Sequence, residues 1–87
     1  MKAPRQLVRV EPIYPPLAKT AHTEGTVQIE AVIDEKGNVV RARATSGPPL
    51  LFAAAVEAVS KWRYEPTYLD GMPVEIEMTV SVTFHLQ

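Results

Sequence analysis

Eighty-seven residues define one small domain, and nine Lys plus Arg against ten Asp plus Glu leave it near neutral, without the basic stripe of a nucleic-acid or membrane-surface binder. No cysteine is present, which excludes a disulfide framework, a CxxC redox site and a cysteine zinc site. No apolar run has the length of a spanning helix, and no signal-peptide pattern opens these residues.

Residues 1–13 alternate weakly around Leu7, Val8 and Val10, and four of the eight prolines fall within the first sixteen residues, so the start reads as the extended end of a linker, with a short edge strand within it. Pro15 and Pro16 suit the first turn of a helix, where a missing N–H costs nothing. That helix runs through Leu17 and Ala18 to about His22 and stops before Gly25. From Thr26 to Asp34 the pattern has period 2, with Val27, Ile29, Ala31 and Ile33 on one face and Gln28, Glu30 and Val32 on the other. Glu35-Lys36-Gly37-Asn38 is a turn in which Gly37 is free to take positive φ. Val39–Thr45 is the return strand. Placing Asp34 against Val39 sets Ile33 opposite Val40, Ala31 opposite Ala42 and Ile29 opposite Ala44. The same register brings Glu30 across from Arg43, so apolar burial and charge pairing agree.

Ser46-Gly47-Pro48-Pro49 breaks the strand, and the period then changes. Leu51, Ala55, Ala58, Val59 and Trp62 recur at helical spacing over Leu50–Trp62, with Glu57 and Lys61 paired at i,i+4 on the opposite side. Trp62 closes the apolar stripe and reads as core rather than as a binding aromatic. Arg63–Tyr68 is extended, with Pro66 marking edge or loop, and Asp70-Gly71 is a hairpin-type turn. The last stretch is the clearest. Val74, Ile76, Met78, Val80, Val82, Phe84 and Leu86 alternate without a break against Glu75, Glu77, Thr79, Ser81, Thr83 and His85. As one strand it would span roughly 44 Å, against about 5 to 6 residues for an ordinary strand. Such a strand is expected to overhang its neighbours and to offer unpaired N–H and C=O groups to another strand.

The expected fold is α+β: a three-stranded antiparallel sheet of order 2-1-3, with the last strand at an edge and two helices packed on one face. Catalytic constellations do not survive the geometry. Glu75 and Glu77 stand roughly 7 Å apart on one face, a spacing that overlaps glycosidase carboxylates, but nothing supplies a sugar cleft, and charges on an edge strand serve to blunt self-pairing. Ser81 and His85 are about 13 to 14 Å apart, beyond hydrogen-bond reach. His22 and His85 lie on separate elements with no ligands around them, so neither a metal nor a cofactor is expected. The chain does not read as an enzyme.

From Pro12 to Leu86 the sequence resembles the C-terminal domain of the TonB family. The likeness rests on Tyr14-Pro15, Gly25-Thr26-Val27, Asp34-x-x-Gly37, Ser46-Gly47, Ala54-Ala55-Val56 and above all Trp62-Arg63-Tyr64-Glu65-Pro66. The resemblance divides the chain into a linker end, 1–13, and a domain, 14–87. It implies two helices on a three-stranded antiparallel sheet, in the periplasm of a Gram-negative envelope. It also implies an N-terminal membrane anchor, a proline-rich spacer and an inner-membrane proton-driven motor, so these residues are expected to be part of a longer protein. The implied partner is the TonB box of outer-membrane transporters, an extended peptide added beside the last strand. The expected peptide-binding residues are then Val74, Glu75, Ile76, Glu77, Met78, Thr79, Val80, Ser81, Val82, Thr83 and Phe84, with secondary contacts at Ile13, Tyr14 and Tyr64. Two positions depart from the family pattern. Phe52 stands where the residue is often acidic and would leave an aromatic exposed, and Ile13 stands where some enterobacterial members are polar. The alternative reading is an envelope scaffold module that self-associates through the same edge, as a strand-paired or swapped homodimer.

Overall fold

Period-2 alternation builds the sheet of this domain, and helical spacing builds its cover. The computed structural model describes residues 3–87, so the first two residues of the expected linker end lie outside the described residues. The elements are β1 (Gln6–Val8), α1 (Pro16–Thr20), β2 (Gly25–Ile33), β3 (Val39–Ser46), α2 (Phe52–Ser60), β4 (Arg63–Tyr64), β5 (Thr67–Leu69), β6 (Met72–Val74) and β7 (Ile76–Phe84). β2 lies between β3 and β7 in an antiparallel sheet of order β3–β2–β7, the α+β arrangement and strand order expected from the sequence. Val27, Ile29, Ala31 and Ile33 of β2 are buried, as are Val80, Val82 and Phe84 of β7. Leu51, Ala55, Ala58, Val59 and Trp62 cover them at the predicted helical spacing. Each Val, Ile, Leu or Phe buried in this way is worth about 1.5–3 kcal/mol.

The hairpin register differs from expectation at one point. Ala31 meets Ala42, Ile29 meets Ala44 and Glu30 meets Arg43 as expected, but Ile33 meets Val39, not Val40. The turn is the cause. Asp34 N–H donates to Asn38 O (2.8 Å), while Asp34 Oδ1 accepts from the N–H groups of Lys36 (2.9 Å) and Asn38 (2.8 Å). The turn therefore closes one residue earlier, and Val40 becomes the extra residue of a bulge, exposed on the surface. A second irregularity skips Thr45, between the Gln28–Ser46 and Ile29–Ala44 pairs.

Both helices are shorter than expected. α1 ends at Thr20, and His22 (φ 55°) sits in the left-handed region just beyond it, the conformation that terminates helices. α2 is entered through a 3₁₀ turn at Pro49–Leu51, and its last turn tightens, with Trp62 N–H donating to Val59 O (3.0 Å). Trp62 therefore keeps its place on the apolar stripe although it lies outside the helix. Its Nε1–H donates to Val10 O (2.9 Å), and the Arg9 guanidinium lies over the ring, 4.5 Å from its centre. β1 pairs with β4, so residues read as a linker end are docked along the domain.

The final strand is not continuous. Met72–Val74 pairs with Thr67–Leu69 across the Asp70-Gly71 turn, and Glu75 separates it from β7. β7 is then matched residue for residue by β2, from Ile76–Ile33 to Phe84–Gly25. No part of β7 overhangs β2.

Two tests follow from the turns. A Cβ at Gly37 (φ 89°) would lie 1.9 Å from Tyr64 O, whereas at Gly71 (φ 80°) it would meet nothing within 4 Å. Gly37→Ala is expected to destabilise the domain by about 3 kcal/mol or more, and Gly71→Ala by about 1–2 kcal/mol, measured by urea unfolding. The two Asp34 Oδ1 bonds, that to the Asn38 N–H foremost, hold its carboxyl below the usual range. A lowered folded pKa stabilises above the unfolded value and is lost as pH falls through the folded one. The stability advantage of wild type over Asp34→Asn should accordingly shrink between about pH 5 and pH 2. A constant difference would remove the turn carboxylate from acid unfolding.

Candidate functional site

A three-stranded sheet has two outer edges, and here they differ. The outer edge of β3 belongs to a strand with two irregularities, and just before it Asn38 bridges to Arg63. Bulges twist a strand and spoil it as a template. β7 runs through nine paired positions with no irregularity, and its outer side pairs with no strand among the described residues.

The outward groups of β7 follow from alternation. In an antiparallel strand the N–H and C=O of successive residues point to opposite sides. Asp34 N–H donates to Asn38 O, and Gln28 O accepts from Thr45 Oγ1 (3.3 Å). Both put the even-numbered residues of β2 toward β3, which leaves the odd-numbered ones for β7. Through the register, Ile76, Met78, Val80, Val82 and Phe84 bond to β2. The N–H and C=O of Glu77, Thr79, Ser81 and Thr83 then point outward. These four side chains are exposed on the polar face of the sheet. Thr83 Oγ1 lies 3.0 Å from Thr26 Oγ1, and Ser81 Oγ donates to Gln28 Oε1 (2.8 Å).

Of the expected site residues, Ile76–Phe84 thus form one edge. Val80, Val82 and Phe84 contribute backbone and support, since their side chains are buried, while Ile76 and Met78 are half-buried. Val74 belongs to the separate β5–β6 hairpin and Glu75 to the joint, so neither extends the edge as one strand. Tyr64 is corrected: it is 4 % exposed within the core, its N–H donates to Gly37 O, and it offers no contact surface. Burial pushes its hydroxyl pKa up. Tyr14 is half-buried, its hydroxyl donates to Thr23 O, and its ring stands edge-on to Phe84 with centres 5.4 Å apart. Ile13 is exposed. Phe52 packs partly against the core rather than standing free.

Ser81 and His85 are engaged separately, His85 Nδ1 lying 2.8 Å from Glu24 Oε2. The same Glu24 oxygen accepts from the Leu86 N–H (2.6 Å), so it ties down the chain beyond β7. No group of three or more His, Cys, Asp or Glu side chains among the described residues is placed to hold a metal ion. Sequence reasoning missed a hollow of about 300 Å³ between the extended segment and α2, lined by Val10, Pro12, Ile13, Ala53, Ala54 and Ala58. The available signal was Ala53 and Ala54, small residues lying off the core stripe of α2.

With this geometry in view, likeness to known proteins decides the family. Residues 10–86 match the family described as Gram-negative bacterial TonB protein C-terminal. The chain belongs to the TonB C-terminal family. It is 35% identical over 81 residues to Protein TonB of Vibrio cholerae serotype O1, which covers 91% of this chain and 33% of that protein. It is 32% identical over 87 residues to Protein TonB of Escherichia coli K12, covering 97% of this chain and 36% of that protein. The chain therefore spans about a third of the length of these relatives. The solution NMR structure of the Pseudomonas aeruginosa TonB CTD superposes with a TM-score of 0.73 at 27% identity, covering 95% of this chain and 86% of that one. The TonB match takes in both helices and the whole β3–β2–β7 sheet, while β1 precedes it.

Amide hydrogen exchange tests the edge directly. The amides of Thr79, Ser81 and Thr83 should exchange at least about tenfold faster than those of Met78, Val80 and Val82. Equal protection along β7 would mean that its outer side is already paired in solution.

Proposed function

We propose that this domain is the periplasmic peptide-binding end of a TonB-type energy transducer, taking the TonB box of outer-membrane transporters as an added strand on β7. The observation that carries the reading is the regular edge: Glu77, Thr79, Ser81 and Thr83 present outward N–H and C=O groups on a strand whose inner side is held by β2 along its full length. Main-chain bonds give such a complex affinity, and alternate side chains give it specificity. Net hydrogen bonds of about 0.5–1.5 kcal/mol each, four to six of them, plus a few apolar contacts give roughly micromolar binding. In this reading a membrane anchor, and through it coupling to a separate inner-membrane proton-driven motor, would lie in the length of the relatives that these residues do not span.

The test is an NMR titration of the labelled domain with a TonB-box peptide. Shifts should concentrate in residues 76–84. Ser81→Pro removes an outward donor without touching the bonds to β2, so it should keep the fold and weaken binding by about tenfold, one or two lost bonds. Peptide binding unchanged in a folded Ser81→Pro domain would sink the reading. No shifts with peptide, together with line broadening that grows with protein concentration alone, would assign the edge to self-pairing instead.

A further inference from the structure

The charge rows on the polar face narrow the kind of peptide that the β7 edge accepts, given that reading of the edge. Across the sheet, Glu30 faces Arg43 on the next strand, and the two are ion-paired at 2.6 Å. One row along, Arg41, Val32 and Glu77 stand side by side. Val32 sets the two strands two spacings apart, about 9 to 10 Å between backbones, and Arg41 and Glu77 line one shallow hollow without forming an ion pair. Among the described residues Glu77 and Glu75, like Glu35 in the turn, have no ion-pair partner, whereas Glu30, Glu24, Glu57, Glu65 and Glu11 do. On this face the arginines thus lie on the β3 side and the carboxylates without a contact ion pair on the β7 side. A hollow of about 190 Å³ lined by Glu30, Glu77, Met78 and Thr79 opens at this edge. On the polar face it combines the Glu77 carboxylate and the Thr79 hydroxyl with Glu30, which is already paired with Arg43, and so suits a cationic head.

A strand added to β7 would place one side chain beside Glu77 on the same face, with Cβ atoms about 4.5–5.5 Å apart. Its neighbours in sequence would turn to the other face and cover the apolar surface that Ile76 and Met78 leave open. We propose that the β7 edge selects an extended peptide carrying Lys or Arg in the row of Glu77, flanked on both sides by apolar residues. Glu77 is the specificity-determining side chain, and Glu75 adds to the local negative field.

The test uses three heptapeptides of sequence Val-Thr-Val-Xaa-Val-Thr-Val, with Lys, Gln or Glu at the centre, and fluorescence anisotropy at a concentration where sedimentation shows a monomer. The Lys peptide should bind tightest and the Glu peptide weakest, with a spread of about tenfold at low salt that narrows at about 0.5 M NaCl. Glu77→Gln should collapse the spread. Glu57→Gln, which alters charge on the far side of the domain, should keep it. Equal binding of the three peptides, or a spread that survives Glu77→Gln, overturns the selection while leaving strand addition in place. If none of the three binds but a TonB-box peptide does, the selection again falls alone. If that peptide also fails, both fall together.

Discussion

The domain depends on β2 having both of its hydrogen-bonding sides satisfied. A strand whose apolar face is fully covered has main-chain groups that water reaches poorly, and leaving them unmade costs more than making them returns. β3 takes the groups of the even-numbered residues and β7 those of the odd-numbered ones. With Val27, Ile29, Ala31 and Ile33 buried on the same strand, neither neighbour can slip by one residue without turning its apolar set to solvent. The register of β7, and with it the identity of the outward groups, is therefore inherited from β2.

The N-terminal segment is held by other means. Its main-chain pairing to β4 covers only Gln6–Tyr64 and Val8–Arg63. Beyond the strand the Glu65 N–H donates to Arg5 O (2.9 Å), and side chains add to the hold: Trp62 bonds to Val10 O, Arg9 lies on the Trp62 ring, and Arg5 pairs with Glu65 at 2.9 Å. Trp62 thus joins the core to the extended segment through its two ends, an apolar body against α2 and the sheet and an N–H toward the incoming chain. An aromatic placed this way is core and clasp together, so reading it only as core from its spacing captured half of its role.

Local periodicity made the strands, the helical stripe, the Glu30–Arg43 pair and the edge position of the last strand legible in the sequence. Each depends on neighbours a few residues away or on a single pairing. The break at Glu75 was not legible, because Val74, Glu75 and Ile76 stay in phase across it. It arises from competition between partners. β2 ends at Ile33, where the Asp34 carboxylate gathers the chain into a turn, so residues before Ile76 have nothing further to pair with and fold back on Thr67–Leu69 instead. Tyr64 was misplaced for a similar reason. Its burial comes from the approach of β4 to Gly37 and from β1, contacts distant in sequence that leave no trace in the pattern of Arg63–Tyr68.

An edge meant to receive a strand must stay open without sticking to every other edge. The two sides of this sheet meet that demand differently. β3 is guarded by distortion: the extra residue at Val40 and the irregularity at Thr45 disturb its ladder, which rejects all strands alike. β7 keeps a regular ladder and carries polar side chains instead, with hydroxyls at Thr79, Ser81 and Thr83 and a carboxylate at Glu77, next to that of Glu75 at the joint before it. Distortion excludes without distinction, whereas charge discriminates, repelling acidic strands and tolerating neutral or basic ones. Of the two solutions only the second is compatible with a binding site. That asymmetry leaves β7, rather than β3, as the edge with a regular open ladder, which is why the proposed strand addition is placed there.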